Sequence, residues 1–178
     1  MKVGGMRNRT LALLAAGALL AGLAAGPAAA QEITAAPDAL SETYGSWTLR
    51  CGAEGAGCHV FQALYRAKDK ARLVQVTLFG AADDGGGLLL RALTPLGAVL
   101  SGGAALVVDD GAPTSVPFLA CWPRGCVAET TLTPDLEAAL RAGLILAVVV
   151  ESADTGQTVR FELSLDGMTR ALDQLREK

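Results

Sequence analysis

The residues of this chain best placed to do chemistry are its four cysteines, which fall into two local pairs. Cys121 and Cys126 bracket Trp122-Pro123-Arg124-Gly125 within FLACWPRGCVAE, and Cys51 and Cys58 bracket the loop GAEGAG. Pairs of this kind serve as redox dithiols, as metal ligands or as disulfide staples. A thioredoxin-like dithiol has two thiols two residues apart at a helix N-terminus, whose partial positive charge stabilises the attacking thiolate. Here four residues intervene, and Val127 to Leu132 has strand propensity. Zinc tolerates the C-x4-C spacing, and Cys51, Cys58 or His59 could complete a ligand set. The interval from Cys51 to Cys58 is nevertheless too long for a zinc knuckle. The staple explains the intervening residues as well as the sulfurs: Pro at i+1 and Gly at i+3 are type I turn preferences. Cys121 and Cys126 then face each other where two antiparallel strands leave the turn. The favoured pairing is therefore Cys51 with Cys58 and Cys121 with Cys126, two other connectivities being formally open. On the loop-closure model each local bridge contributes about 2–2.5 kcal/mol, whereas a long link such as Cys51 to Cys121 would contribute about 4 or more. Entropy favours the long links; geometry and order of synthesis favour the local ones.

Other candidate chemistry is sparse. The single histidine, His59, stands at a strand start, where a half-exposed strand position is the expectation and a Ser-His-Asp arrangement the alternative. No G-x-S-x-G, H-E-x-x-H or phosphate-loop motif occurs. Gly85-Gly86-Gly87 precedes a strand, so it cannot present a helix N-terminus to phosphate. Asp109-Asp110 lacks further oxygen ligands at calcium-loop spacing and reads as turn chemistry. No catalytic residue, cofactor site or resident metal is assigned.

The elements that must position these residues are mostly short strands. Apolar segments separated by Gly, Pro and Asp turns predict an all-β, antiparallel sandwich-like domain with one short internal helix and a C-terminal helix. Val159, Phe161, Leu163 and Leu165 alternate with polar neighbours, as do Val74, Val76 and Leu78 with Gln75 and Thr77; each set predicts a half-buried strand. Leu144 to Val150 is apolar throughout and reads as a central strand covered on both faces. The Asp110-Gly111 step predicts a hairpin and supplies its positive φ. Thr133-Pro134-Asp135 is an N-cap, a Pro at the first helical position and an acid in the first turn, with Gly143 as the stop. Met168, Ala171, Leu172 and Leu175 fall at i, i+3, i+4 and i+7, the stripe of an amphipathic helix packed on the sheet. Trp47 and Tyr44 are expected to cap the core.

The N-terminus reads as an address. Lys2, Arg7 and Arg9 precede an apolar run from Leu11 to Ala25 that ends at Ala28-Ala29-Ala30, the form of a secretory signal, with cleavage expected between Ala30 and Gln31. The run, about 15 residues, is shorter than the roughly 18–20 a spanning helix needs. Residues 1–30 are thus a signal peptide, 31–45 a mobile leader and 46–178 a single domain, with structure expected from about Ser46. Removal of three basic residues leaves twelve against eighteen acidic ones, a net charge of −6. So acidic a chain, without a basic cluster, is unsuited to nucleic acid or to an anionic membrane surface. An even number of thiols exported to an oxidising compartment, periplasmic or secreted, favours two bridges.

Three stretches carry a family resemblance: YGSWTLRC (residues 44–51), PLGAVLSGGAALVVDDGAPTSVPFLACWPRGCVAE (95–129) and VRFELSLDGMTRALDQL (159–175). Together they resemble the invasion-associated locus B family of bacterial envelope proteins. The middle stretch is the specific part, with its Pro-Leu-Gly opening, Asp-Asp-Gly hairpin and Cys-turn-Gly-Cys close. Met168 stands where the family commonly has an aromatic residue. The resemblance implies a compact, β-rich periplasmic or secreted protein, named for host-cell invasion by pathogens, and carries no catalytic residue to transfer. The resulting expectation is a non-enzymatic envelope protein that binds an unidentified envelope or host-surface protein without stable membrane insertion. Trp122 and Arg124, of types that anchor interfaces, are the candidate contacts, unless Trp122 folds back over its own bridge. A thiol-redox helper and a small-ligand carrier with a pocket between the sheets are the rival expectations.

Overall fold

A computed structural model describes residues 40–52, 57–80 and 87–178. The expected signal peptide (1–30), most of the expected leader, the interior of the 51–58 loop and Gly85-Gly86 lie outside the described residues. The strands are β1 (Ser41–Tyr44), β2 (Trp47–Arg50), β3 (His59–Tyr65), β4 (Arg72–Gly80), β5 (Leu88–Thr94), β6 (Ala104–Val108), β7 (Thr114–Val116), β8 (Phe118–Trp122), β9 (Gly125–Thr131), β10 (Ile145–Glu151) and β11 (Thr158–Ser164). Helix α1 spans Pro134–Ala142 and α2 spans Met168–Arg176. Two antiparallel sheets result, a seven-stranded one in the order β1-β2-β3-β4-β5-β9-β8 and a four-stranded one in the order β11-β10-β6-β7.

Alternation decides which side chains meet between the sheets. Val74, Val76 and Leu78 of β4 are fully buried and join Leu90 and Ala92 of β5 on the inner face of the larger sheet. Leu106, Leu146, Val148 and Leu163 form the facing layer of the smaller sheet. Both helices lay their apolar stripes on this core through Leu136, Leu140, Met168 and Leu172. Burial of side chains this size contributes about 1.5–3 kcal/mol each. The Thr133 hydroxyl caps α1 by accepting from Leu136 N at 3.2 Å. Glu137 then ties the helices together: its carboxylate accepts from Arg141 at 2.8 Å and from Arg176 of α2, and Arg141 also pairs with Asp173 at 2.8 Å. Trp47 is fully buried and donates its indole N–H to the Ser164 carbonyl at 2.9 Å, joining β2 to the end of β11. The Gln62 amide donates to Ser46 O at 2.8 Å and to Ser164 O at 3.2 Å across the same junction.

The structure departs from the sequence expectations in four places. Ser41–Tyr44, expected as part of the leader, forms a strand that pairs with β2 through its backbone; a strand of mostly polar residues at a sheet edge leaves little alternation to read. The positive φ of the 109–113 turn lies at Asp109 (φ 50°), whereas Gly111 does not use the left-handed region. Asp tolerates that conformation, and the Asp109 carboxylate is occupied as well, accepting from Leu144 N at 3.1 Å and Ile145 N at 2.9 Å. Strand β10 is central but only partly covered on its second face, where Ala147 is buried while Ile145 and Val149 are half-buried, and Leu144 is 75% exposed ahead of the strand. Along β11 burial fades from Leu163 to Val159, because β11 is the sheet edge.

Candidate functional site

The cysteines are bonded within their local pairs, Cys51 to Cys58 and Cys121 to Cys126, with Cα separations of 3.9 and 4.0 Å. Cys121 and Cys126 are direct register partners, as are Trp122 and Gly125, so Pro123-Arg124 is a two-residue tip closed by its own bridge. Gly125 (φ 136°) is required there: a Cβ at this position would stand 2.3 Å from the Thr94 carbonyl of β5. The tip is therefore seated hard against a central strand. Among the described residues no cysteine is free, and no three His, Cys, Asp or Glu side chains come together as a metal site.

The tip borders a cleft of about 820 Å³ on the outer face of the seven-stranded sheet. Strand register builds it from residues far apart in sequence. Thr77 faces Arg91, Gln75 faces Leu93, and Leu93 in turn faces Val127. These positions alternate with the core residues of the same strands and so point away from the sandwich interior. The cleft also takes in His59 and Cys58 at one end of β3, together with Leu175 of α2 and Lys178 just beyond it. Phe79 supplies an aromatic face, over which the Arg91 guanidinium lies 4.7 Å from the ring centroid. Arg91 is also paired with Glu129 at 2.6 Å. Arg72 donates to Gln75 Oε1 at 3.1 Å, and Gln75 Nε2 passes the chain on to Thr77 Oγ1 at 3.1 Å. Arg124 forms no ion pair among the described residues, and Trp122 is 54% exposed. Trp122 borders the cleft, and Cys121 beside it is exposed as well. His59 is half-buried at the start of β3, its ring 5.7 Å from that of Phe61.

Chemically, this lining offers an aromatic face, an apolar floor and an excess of guanidinium donors. Trp122 and Arg124 were legible as interface types from their turn; Arg72, Phe79, Arg91, Leu93 and Val127 were not, since only register unites them. The one signal available was Arg91, a charge interrupting the apolar run LLLRALT.

Residues 47–176 match the model of the family described as invasion associated locus B (IalB) protein. The chain belongs to the IalB family. An IalB relative, an invasion protein B homolog of Brucella abortus strain 2308, is 32% identical over 139 residues, covering 77% of this chain and 79% of the relative. The invasion protein B of Bartonella bacilliformis is 30% identical over 142 residues, covering 76% and 74%. The crystal structure of invasion associated protein b from Bartonella henselae superposes with a TM-score of 0.68 at 26% identity, covering 76% of this chain and 95% of that one. The IalB match runs from β2 to β11 and takes in both helices and all four cysteines, while β1 and Lys178 lie outside it. Among the described residues no helix is long and apolar enough to cross a membrane.

Proposed function

We propose that this IalB-family chain is an exported, non-enzymatic binding protein of the bacterial envelope, periplasmic or secreted. Its contact surface is the Trp122-Pro123-Arg124 tip together with the cleft it borders. The observation that carries this reading is the tip itself. A half-exposed Trp and an Arg without an ion pair among the described residues are held at the cleft by a bridge and by a glycine seated against a central strand. Rigid presentation of these residue types lowers the ordering cost of binding and leaves more of the contact energy as affinity. Two bridges and the signal-like N-terminus support export. The relatives' names connect them with invasion, and carried to this chain they point to a partner in the envelope or on a host surface. The apolar core fills the space between the sheets and the cleft lies on the outer face, which favours a surface contact over a carrier pocket between the sheets.

The test is chemical crosslinking in the native envelope with wild type and the Trp122→Ala/Arg124→Ala double variant, circular dichroism establishing an unchanged fold. A partner adduct that weakens at least about tenfold in the variant supports the surface. Equal adduct yield in both refutes it. Mature protein whose N-terminal residue is Gln31 supports the export step; retention of residues 1–30 overturns it.

A further inference from the structure

The lining of the cleft specifies the chemistry of what it holds. The structure assigns to this surface an acidic, apolar-anchored peptide segment of a partner protein; this rests on the binding reading above and deepens it.

Charge complementarity is the first argument. The domain body is acidic, with eighteen Asp and Glu against fifteen Lys and Arg in the whole chain, three of the latter in the signal-like segment. The cleft inverts that sign: Arg72, Arg91 and Arg124 converge on it, and none of its lining residues is Asp or Glu. Glu129 stands beside it and neutralises Arg91, while Arg72 and Arg124 have no ion-pair partner among the described residues. An anionic group entering here meets attraction from these guanidinium groups although the domain as a whole is acidic.

Hydrogen-bonding capacity is the second. A guanidinium donates and never accepts, and its fork matches a carboxylate. The acceptors of the lining side chains are largely spent: Gln75 Oε1 receives Arg72, and Thr77 Oγ1 receives Gln75. A glycan hydroxyl can accept from a guanidinium too, but without the charge assistance and bidentate match that a carboxylate brings. Carboxylates bring acceptors only.

The third is the apolar floor. Phe79, Leu93 and Val127 lie between the cationic groups, and Trp122 stands at the mouth. A uniformly polyanionic chain would leave that floor without a partner, whereas a peptide that places an apolar side chain between acidic ones satisfies both. Strand β8, next to the floor, is an edge of its sheet, with Leu119 65% exposed, so an extended segment also finds open backbone beside it.

The test uses the oxidised mature protein and intrinsic fluorescence. Its two tryptophans differ: Trp47 is fully buried and Trp122 half-exposed, so acrylamide quenching reports on Trp122. The probe is a synthetic peptide of about eight residues, roughly 26 Å when extended, with glutamates flanking a central Phe-Leu pair. Saturable protection of Trp122 is expected, about tenfold weaker for the same peptide with glutamine replacing glutamate. Arg72→Gln and Arg124→Gln should each weaken the acidic peptide by about five- to tenfold and leave the glutamine peptide unchanged. The peptide comparison is made on wild-type protein, so it stands even where a variant folds poorly. Equal affinity for the two peptides overturns the proposal. So does protection of Trp122 by an oligogalacturonate or by phosphatidylglycerol vesicles but not by the acidic peptide, or self-association as the sole event that protects it. Should the envelope adduct depend on Trp122 and Arg124 while the acidic peptide fails to bind, the contact surface survives and the ligand class falls. An adduct indifferent to both residues removes the surface itself.

Discussion

Replacement of Gly125 by Ala separates a seated hairpin tip from one that merely hangs on its bridge. Two costs add. The backbone at φ 136° is one that a side-chain-bearing residue rarely adopts, a penalty of about 1–2 kcal/mol. The new Cβ would also sit 2.3 Å from the Thr94 carbonyl oxygen and 3.0 Å from Leu93 Cδ1. The near atom is backbone in a strand paired on both sides, to β4 and to β9, so it cannot swing aside as a side-chain end would. The hairpin has to lift instead, at an overpacking cost of about 1–3 kcal/mol. We expect Gly125→Ala to destabilise by about 3 kcal/mol, which for a domain of this size lowers Tm by about 10 °C. Urea and thermal unfolding followed by circular dichroism measure this. Two controls calibrate it. Gly57 has positive φ (63°) but, among the described residues, open space around its Cβ position, so Gly57→Ala should cost only about 1 kcal/mol. Gly80 likewise has open space among the described residues and no positive φ, so Gly80→Ala should stay within about 0.5 kcal/mol of wild type. A Gly125→Ala protein no less stable than the Gly57→Ala protein would refute the claim that the tip is pressed against β5.

Three further outcomes follow from the same structure. Removal of the tip bridge by Cys121→Ser/Cys126→Ser should cost about 2 kcal/mol, the loop-closure value for so short a loop, measured by urea unfolding in the oxidised state. Leu140→Ala removes a fully buried side chain beneath α1 and should cost about 3 kcal/mol by the same measurement. Burial tends to raise the Glu137 carboxyl, but hydrogen bonds and charge attraction from Arg141 and Arg176 outweigh it and hold the group below its usual range. Protonation then costs more in the folded chain than in the unfolded one. Its contribution is complete above the ordinary glutamate value and is lost as pH falls through the lowered one. Urea midpoints measured across the acid range should show a smaller fall for Glu137→Gln than for wild type, from a starting point about 1 kcal/mol lower at neutral pH.

What the sequence discloses here divides along the range of the interactions involved. Local chemistry reads well: Thr133-Pro134 starts α1, the apolar stripe from Met168 to Leu175 makes α2, and the residues between Cys121 and Cys126 make a tight hairpin. Each depends on neighbours within a few positions. Long-range pairing reads poorly. Ser41–Tyr44 joins the large sheet although its side chains give little alternation, because an edge strand is held by backbone hydrogen bonds, which are common to all sequences. The positive φ at Asp109 accompanies a tertiary contact, its carboxylate accepting from the amides of Leu144 and Ile145, some 35 residues away. The cleft is the extreme case. Gln75 and Thr77 look like an ordinary wet strand face until β5 and β9 are placed beside them with Arg91, Leu93 and Val127 in register. Trp122 and Arg124 could be nominated from the turn alone, but the surface they border could not.

The fold also accounts for the division of labour between the two faces of the large sheet. Its inner face is committed to the core and to α2, where every substitution is a stability event. Its outer face carries the arginines, Phe79 and the stapled tip, where substitutions alter contacts while leaving the core packed.

Position-resolved photo-crosslinking in the native envelope tests the central claim most directly. A benzophenone side chain is placed in turn at Leu119 of β8, beside the tip, and at Thr158 of β11, in the other sheet. Both positions are exposed, so the reagent itself is equally accessible. The account predicts a discrete adduct from Leu119 that disappears in the Trp122→Ala/Arg124→Ala background, and none from Thr158. An adduct from Thr158 alone, or one from Leu119 that persists in that background, would contradict it.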